Sequence, residues 1–253
     1  MNTILFSDLD DSLFSSERAH TARRSEGPFV PATLAGEGKA GLMDAKQHAF
    51  WNLVQPSCIV VPVTARSKTA MARVALPNHR PTLGAIVSNG ALVLDATGQV
   101  DATWFAHTRA VAHGAVDVLD AVARHAQAEP DLRVSAQIED GTLLAVTVKC
   151  TEHTGARAED RLRAWWDQVA PVTGGHLWMH ANGNGLSAIP LGISKANAVG
   201  WMIDRMRAQG PLLTLGMGDS LGDAGFMARC DIALMPTHAQ LFMTLMPQEA
   251  AHA

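Results

Sequence analysis

One stretch near the amino terminus decides the fold: Thr3-Ile4-Leu5-Phe6-Ser7-Asp8-Leu9-Asp10-Asp11-Ser12-Leu13. The apolar run at residues 4–6 is typical of a short buried strand, and three carboxylates follow where it ends. Because buried unpaired charge is costly, we expect these acids at an exposed strand end or around a cation. Residues two apart on an extended backbone share a side, so Asp8 and Asp10 can face one ligand. Converging carboxylates of this kind suit Mg²⁺.

The same acids have a simpler interpretation. Taken alone, Asp10-Asp11-Ser12 is typical of a turn or of a helix cap, and short acidic motifs are common. The other motifs of the chain are needed to choose between the cation site and the ordinary turn or cap.

Composition narrows the class of protein. The 253 residues are 47% hydrophobic and 17% charged, which describes a folded chain with one large domain or two modest ones. The net charge of −4 gives no electrostatic reason to expect nucleic acid or an anionic membrane as partner. Three scattered cysteines indicate neither a disulfide framework nor a zinc site. Asp8 interrupts any signal-peptide core and no apolar stretch is of membrane length, so the expected location is cytoplasmic.

The first part of the chain predicts a parallel sheet. Residues 15–40 contain many glycines and prolines, which predicts a long functional or mobile loop. Beyond it the pattern predicts helices at 43–54 and 68–76 and strands at 58–63 and 83–87. The run from Cys58 to Val63 is apolar on both faces, as in a central strand of a parallel sheet.

Between residue 91 and about residue 187 the pattern changes to alternating strands with two helices. Asp140-Gly141 predicts a hairpin turn there. The predicted strands are 91–94, 100–105, 132–138, 143–149 and 176–180, and the predicted helices are 111–127 and 156–169. Antiparallel strands mixed with helices indicate an inserted α+β module.

Parallel character returns near the carboxyl end. Ser194 is typical of a helix cap, Gly210 of a helix end, and strands are predicted at 212–215 and 231–236. The sequence therefore predicts an α/β protein. Its Rossmann-like parallel-sheet core would consist of residues 1–87 and 188–253, with an inserted α+β domain at 88–187.

Four polar clusters follow predicted strands or open a helix. They are Asp8/Asp10, Thr64/Arg66, Lys195 and Asp219/Asp223. Ligands of an open parallel sheet bind beyond the carboxyl ends of its strands, so three clusters should meet in one crevice, which Lys195 can reach from its helix. Together they provide what metal-assisted phosphoryl transfer to a carboxylate requires: a metal cage, a nucleophile and donors for phosphoryl oxygens.

Each cluster also has an ordinary interpretation. Thr64 alone is typical of a strand end, and Lys195 alone of a solvated helix residue. Asp219 and Asp223 alone would favour a helix amino terminus. The functional interpretation depends on finding all four in order.

In that order the clusters resemble the motifs of the haloacid-dehalogenase-like (HAD) superfamily of aspartyl-phosphate hydrolases. Asp8-Leu9-Asp10-Asp11-Ser12 resembles its Asp-x-Asp-x-Thr/Ser motif, and Gly218-Asp219-Ser220-Leu221-Gly222-Asp223 resembles its acidic motif. Thr64 and Lys195 match its hydroxyl and lysine motifs. The long insert and Asn89-Gly90-Ala91 are similar to the subgroup with an α/β cap, which includes Cof-like and sucrose-phosphatase-like enzymes. Gly222 departs from the pattern, because these relatives usually carry Asn there.

The resemblance implies a role for each matching residue. Asp8 would be the nucleophile and Asp10 the acid and base, with Thr64 and Lys195 stabilising the transferring phosphoryl group. Mg²⁺ would be held by Asp8, the Asp10 carbonyl and Asp219, with Asp223 ordering metal waters or Lys195. Arg66 and Asn89 would face the substrate.

The implied function is a Mg²⁺-dependent phosphatase of a small phosphorylated metabolite, with a sugar phosphate as the favoured class. Residues 88–187 would form its cap domain. Three alternatives stay open: a phosphosugar mutase, a signalling receiver, and a phosphate-binding module weakened by Gly222. The receiver fits poorly, because this chain is about twice as long as such a module.

Overall fold

The computed structural model describes residues 2–34, 40–182 and 184–246. Contacts divide the chain into two compact units. Unit 1 comprises Met1–Asp101 and Ser194–Ala253, and unit 2 comprises Ala102–Ile193. Among the described residues, no helix is both long and apolar enough to span a membrane.

The first part of unit 1 alternates short strands and helices. In chain order they are β1 (Asn2–Ser7), β2 (Ser15–Ser16), α1 (Glu17–Arg23), β3 (Val30–Pro31), β4 (Gly41–Met43), α2 (Ala45–Val54), β5 (Ile59–Pro62), α3 (Lys68–Met71), β6 (Ala85–Val87) and β7 (Leu92–Leu94), with a 3₁₀ turn at Ser88–Gly90 between the last two.

Unit 2 and the rest of unit 1 follow. Unit 2 contains α4 (Ala102–His113), α5 (Val116–Gln127), β8 (Leu132–Glu139), β9 (Thr142–Cys150), α6 (Ala156–Val169), β10 (Leu177–Asn182) and β11 (Gly185–Pro190). Unit 1 resumes with α7 (Lys195–Arg207), β12 (Leu212–Met217), α8 (Ala224–Met227), β13 (Ile232–Leu234) and α9 (Gln240–Leu245).

The central sheet of unit 1 is parallel, which confirms the predicted α/β class. Its strand order is β13-β12-β1-β5, and all three neighbouring pairs run parallel. The apolar residues of β1 are fully buried, as a strand covered on both faces requires. Ser7 pairs with Met217 on one side and with Pro62 on the other. The carboxyl ends of β12, β1 and β5 therefore coincide at one edge.

Unit 2 is built on a four-stranded antiparallel sheet of order β10-β11-β9-β8. Apolar residues of α5 and α6, among them Leu119, Leu162 and Trp165, pack with Val146 and Val148 of the sheet in one core. The predicted hairpin turn joins β8 to β9, with positive φ at Asp140 and Gly141 (45° and 71°).

Several predictions in the first part of unit 1 were wrong. The predicted loop at 15–40 instead contains β2, α1 and β3, with β2 and β3 each paired to β4; residues 35–39 lie outside the described residues. The helix predicted at 68–76 ends at Met71, and Val74 beyond it forms an antiparallel bridge with Thr33 instead. The strand at 83–87 is shorter and pairs antiparallel with β7, and a bridge from Ile86 to Val63 links it to the end of β5.

Two further corrections concern unit 2. Residues 100–105 were predicted as a strand, but Ala102 begins α4, whose buried Trp104, Phe105 and Thr108 lie on one helical face. The helix predicted at 111–127 is two helices, α4 and α5, separated around Gly114. The strand β11 was not predicted. A turn was predicted at residues 183–185, of which residue 183 lies outside the described residues.

The unit boundaries differ from the predicted positions at 87/88 and 187/188. They lie at 101/102 and 193/194. Pairing of β7 with β6 keeps residues 92–94 in unit 1, and β11 continues to Pro190 in unit 2. The unit division therefore follows strand pairing, which the local sequence pattern does not reveal.

Candidate active site

Asp8 lies at the centre of the sheet edge where three parallel strands end. It follows the last residue of β1, and its backbone N–H donates to the Met217 carbonyl of β12 at 2.8 Å. The Ser7 hydroxyl donates to the Asp8 carbonyl at 2.7 Å. The residue is only 6% exposed, so its carboxylate needs partners.

Lys195 is the direct partner of that carboxylate. It is the first residue of α7, a helix capped by the Ser194 side chain, which accepts from the Asn197 N–H. Its amine is buried and donates to Asp8 Oδ1 and to Asp223 Oδ1, both at 2.7 Å. The lysine thus bridges acids that are more than two hundred residues apart in sequence.

The loop after β12 supplies the second pair of acids. Asp223 is fully buried, and its Oδ2 accepts from the Ser220 hydroxyl at 2.7 Å and from the Ser220 N–H at 3.0 Å. A side chain at Gly218 would overlap Asp223, so glycine allows this acid its position. The sequence prediction gave Ser220 no role, although its place in the acidic motif is the signal that could have identified it.

Three carboxylates converge in this region. Ligand oxygens of Asp8, Asp219 and Asp223 all lie within 4.8 Å of one another. If all three acids are ionised, the Lys195 amine leaves them with two uncompensated negative charges. Convergent carboxylate oxygens with this surplus fit a hard divalent cation such as Mg²⁺.

The pKa values of the site reflect this crowding. Burial raises the pKa of Asp8 well above its ordinary value, against the opposing effect of Lys195. Burial also raises the pKa of Asp219, to about 7, with help from the Asp223 charge. For Asp223 burial acts upward as well, but Lys195 and the Ser220 donors prevail and lower its pKa. Burial tends to lower the pKa of the Lys195 amine, and the two facing carboxylates outweigh it and raise that pKa.

The Asp10 carboxylate is not one of the three converging carboxylates. The Asp10 carboxylate forms a bidentate pair with the Arg66 guanidinium. Nε donates to Oδ2 at 2.7 Å and Nη2 donates to Oδ1 at 2.6 Å. The arginine also stacks over the Phe14 ring, 5.2 Å from its centre. The Asp10 side chain is 49% exposed, unlike the buried Asp8. The two roles predicted for Asp10, as acid and base through this carboxylate and as a metal ligand through its carbonyl, stay predictions.

Thr64 and Asn89 belong to two loops joined by hydrogen bonds. The Thr64 hydroxyl is buried and accepts from the Arg66 N–H at 3.1 Å. The Asn89 N–H donates to the Thr64 carbonyl at 3.1 Å, and the Ser88 N–H donates to the Arg66 carbonyl at 2.8 Å. Backbone hydrogen bonds thus connect the two loops that carry Arg66 and Asn89, the predicted substrate-binding residues. Gly222 is exposed. The catalytic and ligand roles of all these residues stay predictions.

The fold and this edge of the sheet define the class of protein: the chain has the fold of haloacid-dehalogenase-like hydrolases. The prediction drawn from the four motifs is thereby confirmed at the level of the fold. The similarity to known proteins is one of structure alone, because no profile of a known family and no curated protein matches the sequence.

Three solved structures illustrate the likeness. The chain is similar to sucrose-phosphatase from Synechocystis, solved with sucrose and phosphate (14% identity, 97% of this chain and 87% of that one, TM-score 0.61). It is similar to a trehalose-6-phosphate phosphatase related protein (19% identity, 94% and 89%, TM-score 0.52). It is also similar to a haloacid dehalogenase-like hydrolase from Bacteroides thetaiotaomicron (10% identity, 93% and 94%, TM-score 0.54).

Proposed function

We propose that this protein is a Mg²⁺-dependent phosphatase that hydrolyses a small phosphorylated metabolite. The observation that carries the proposal is the buried Lys195 amine, which bridges Asp8 and Asp223 within a group of three converging carboxylates. A nucleophilic carboxylate, a cation site and a donor for phosphoryl oxygens are then present at one sheet edge. Two of the three structural relatives are named as phosphatases or related to one.

The cation site of the proposal consists of Asp8, Asp219 and Asp223, with the Asp10 carbonyl as a further ligand. Bound there, Mg²⁺ would neutralise negative charge on the phosphoryl oxygens and so favour attack by an anionic nucleophile. The rest of the chemistry depends on side chains of this chain.

The reaction would proceed in two displacements. The Asp8 carboxylate attacks phosphorus while the bond to the leaving oxygen breaks, and Asp10 gives that oxygen a proton. The product of this step is an aspartyl-phosphate. Asp10, now a carboxylate, takes a proton from water as that water attacks the aspartyl-phosphate. Inorganic phosphate leaves and Asp8 is restored.

The neighbouring donors have separate tasks in the proposal. Lys195 and the Thr64 hydroxyl stabilise charge on the transferring group, which is the largest contribution in such chemistry. Arg66 moves from Asp10 to the substrate phosphate when substrate enters, because two phosphate oxygens can accept the same pair of hydrogen bonds as the Asp10 carboxylate. Asn89 completes the substrate side of the site.

We further propose that unit 2 is the cap domain, which selects the substrate and excludes water during the reaction. A sugar phosphate is the favoured substrate class, in keeping with the names of the sucrose- and trehalose-phosphate relatives. The cytoplasmic location is retained as a prediction.

Release of inorganic phosphate tests the proposal. The full chain is incubated with Mg²⁺ and a panel of phosphorylated sugars, nucleotides and p-nitrophenyl phosphate, beside the variants Asp8→Asn and Asp160→Asn. Asp160 is an exposed acid of α6 and serves as the matched control. Turnover is expected in the parent and in Asp160→Asn, and none in Asp8→Asn. Conversion of a hexose phosphate to its isomer without free phosphate would contradict hydrolysis and favour the mutase.

A further inference from the structure

The two loops that carry the acids of the candidate active site share a further partner besides Lys195. We define the first acidic loop as residues 8–14 and the second acidic loop as residues 218–223. Residues 238–241, near the carboxyl end of the chain, hydrogen-bond to both loops, and we call them the clamp segment. All three parts belong to unit 1. The loops are therefore connected by a segment that contains no carboxylate of its own.

The clamp segment holds the second acidic loop by two hydrogen bonds. Gln240 Oε1 accepts from the Leu221 N–H at 3.2 Å, and the Leu241 N–H donates to the Asp219 carbonyl at 2.9 Å. Leu241 is buried, which anchors the segment in the core, while the Gln240 side chain is at the surface of the loop. Asp219 is thus held through its backbone, and the clamp segment does not use its carboxylate.

On the first acidic loop the clamp segment contacts Asp11. His238 Nε2 lies 3.2 Å from the Asp11 carbonyl and donates to it, because a carbonyl oxygen only accepts. The Asp11 side chain is bound separately, by Arg23 of α1 at 3.1 Å. Asp11 has φ of 62°, in the left-handed region, where the backbone of a residue other than glycine depends on its surroundings. The His238 contact is part of those surroundings.

Hydrogen bonds within a loop do not set its distance from the other loop. In the second acidic loop, Asp223 Oδ2 accepts from the Asp219 and Ser220 N–H groups at 3.3 and 3.0 Å, which fixes the shape of that loop. The distance from Asp219 to Asp8 depends on contacts between the loops. Mg²⁺ demands near-ideal octahedral geometry, whereas Ca²⁺ tolerates variable distances and ligand numbers. A contact that fixes loop spacing should therefore matter more for Mg²⁺ than for Ca²⁺.

We propose that the clamp segment positions the cation site: His238 and Gln240 hold the two acidic loops at the spacing that Mg²⁺ requires and so favour Mg²⁺ over Ca²⁺. The inference rests on the proposed function for the presence of that cation site. Both side chains act through the backbone of the loops, at Asp11 and Leu221, and not on the cation or the substrate.

Hydrogen exchange without metal tests the clamp itself. Backbone amide exchange in the second acidic loop is measured by mass spectrometry for the full chain and for two double variants. The clamp variant is His238→Ala/Gln240→Ala, and the control is His113→Ala/Gln209→Ala, which removes an exposed histidine and an exposed glutamine elsewhere. We expect severalfold faster exchange in the clamp variant alone, because the Leu221 N–H loses its acceptor. Equal exchange in all three proteins would overturn the inference.

Calorimetric titration with Mg²⁺ and with Ca²⁺ tests the effect on the cation site. The clamp variant should bind Mg²⁺ about tenfold more weakly than the parent, a loss typical of removing a contact that orients metal ligands. Its affinity for Ca²⁺ should change much less, and the control should match the parent for both cations. An equal loss for both cations would indicate general loosening and contradict the positioning role.

The same titrations separate this inference from the proposed function. A parent that binds Mg²⁺ no more tightly than the clamp variant does would refute the clamp and leave the cation site intact. A parent that binds neither cation would refute the cation site of the proposed function and, with it, the role of the clamp.

The variant Gln240→Glu distinguishes the hydrogen bond from the mere presence of a side chain. Its carboxylate retains an oxygen acceptor for the Leu221 N–H, so exchange in the second acidic loop should stay at the rate of the parent. Exchange should be faster in Gln240→Ala. Thermal unfolding of the metal-free proteins checks that both variants are folded. Equal acceleration in the two folded variants would show that the acceptor has no role and would contradict the proposal.

Discussion

At the scale of residues, the site depends on a buried amine. Lys195 donates to two carboxylates at 2.7 Å each, and all three groups are buried. A buried ion pair adds little stability compared with an apolar pair of the same shape, but removing one partner leaves uncompensated charge in the interior. The lysine should therefore matter for folding as well as for chemistry.

Lys195→Met should lower the free energy of unfolding by about 3 to 5 kcal/mol, because it leaves Asp8 and Asp223 without their counter-charge. Urea unfolding measures the change. The matched control is Lys46→Met, an exposed lysine of α2, which should alter stability by about 0.5 kcal/mol or less. Equal effects of the two substitutions would show that the buried amine has no special structural role.

Asp219 should make cation binding depend on pH. Its pKa is raised to about 7 by burial and by the Asp223 charge, so it carries a proton at pH 6 and has lost it at pH 8. A carboxylate must be ionised to bind Mg²⁺, so affinity should fall about tenfold between pH 8 and pH 6. Calorimetric Mg²⁺ titrations in buffers of different ionisation enthalpy measure both affinity and proton release. Constant affinity with no proton release would exclude this role for Asp219.

At the scale of elements, short turns position the helix that carries Lys195. Gly90 has φ of 90°, and a Cβ there would overlap the Ser194 carbonyl at the start of α7. The turn at Ser88–Gly90 is also hydrogen-bonded to Thr64 and Arg66. One backbone turn therefore fixes the spacing between the predicted substrate residues and the helix start.

Gly90→Ala and Gly98→Ala form a matched pair. Both glycines have positive φ (90° and 80°), but an added Cβ meets atoms only at Gly90. Gly98→Ala should cost about 1 to 2 kcal/mol, as expected for strain in the left-handed region alone. Gly90→Ala should cost more in denaturant unfolding and should also reduce phosphate release, because it displaces α7. Indistinguishable unfolding curves for the two variants would contradict this close packing.

Some helices and strands could be predicted from the sequence, and others could not. Helix α7 was predicted because Ser194 and Gly210 bracket a clear helical pattern. Residues 100–105 look like an alternating strand, yet Trp104 and Phe105 are buried on one side of α4. In such a short segment, packing outweighs local preference. The pairing of β6 with β7 likewise depends on which strands lie side by side in the folded protein, and the local sequence does not determine this.

At the scale of the whole molecule, the site combines residues from both ends of the chain. Asp8 and Asp223 come together because β1 and β12 are adjacent parallel strands that end at the same edge. The sequence predicted this convergence, since polar clusters followed apolar runs in a recognisable order. It did not predict β11, because that strand depends on pairing with β9 and β10 in unit 2. Nor did it predict that Arg66 holds the Asp10 carboxylate, which is a contact between side chains 56 residues apart.

The central claim is that phosphate passes through Asp8, and covalent trapping tests it most directly. The full chain is mixed with p-nitrophenyl phosphate and Mg²⁺, quenched in acid, digested and mapped by mass spectrometry. We predict one phosphate on the peptide that contains Asp8, absent without Mg²⁺ and absent in Asp8→Asn. Turnover with no phosphate on that peptide, or turnover that survives in Asp8→Asn, would contradict the account.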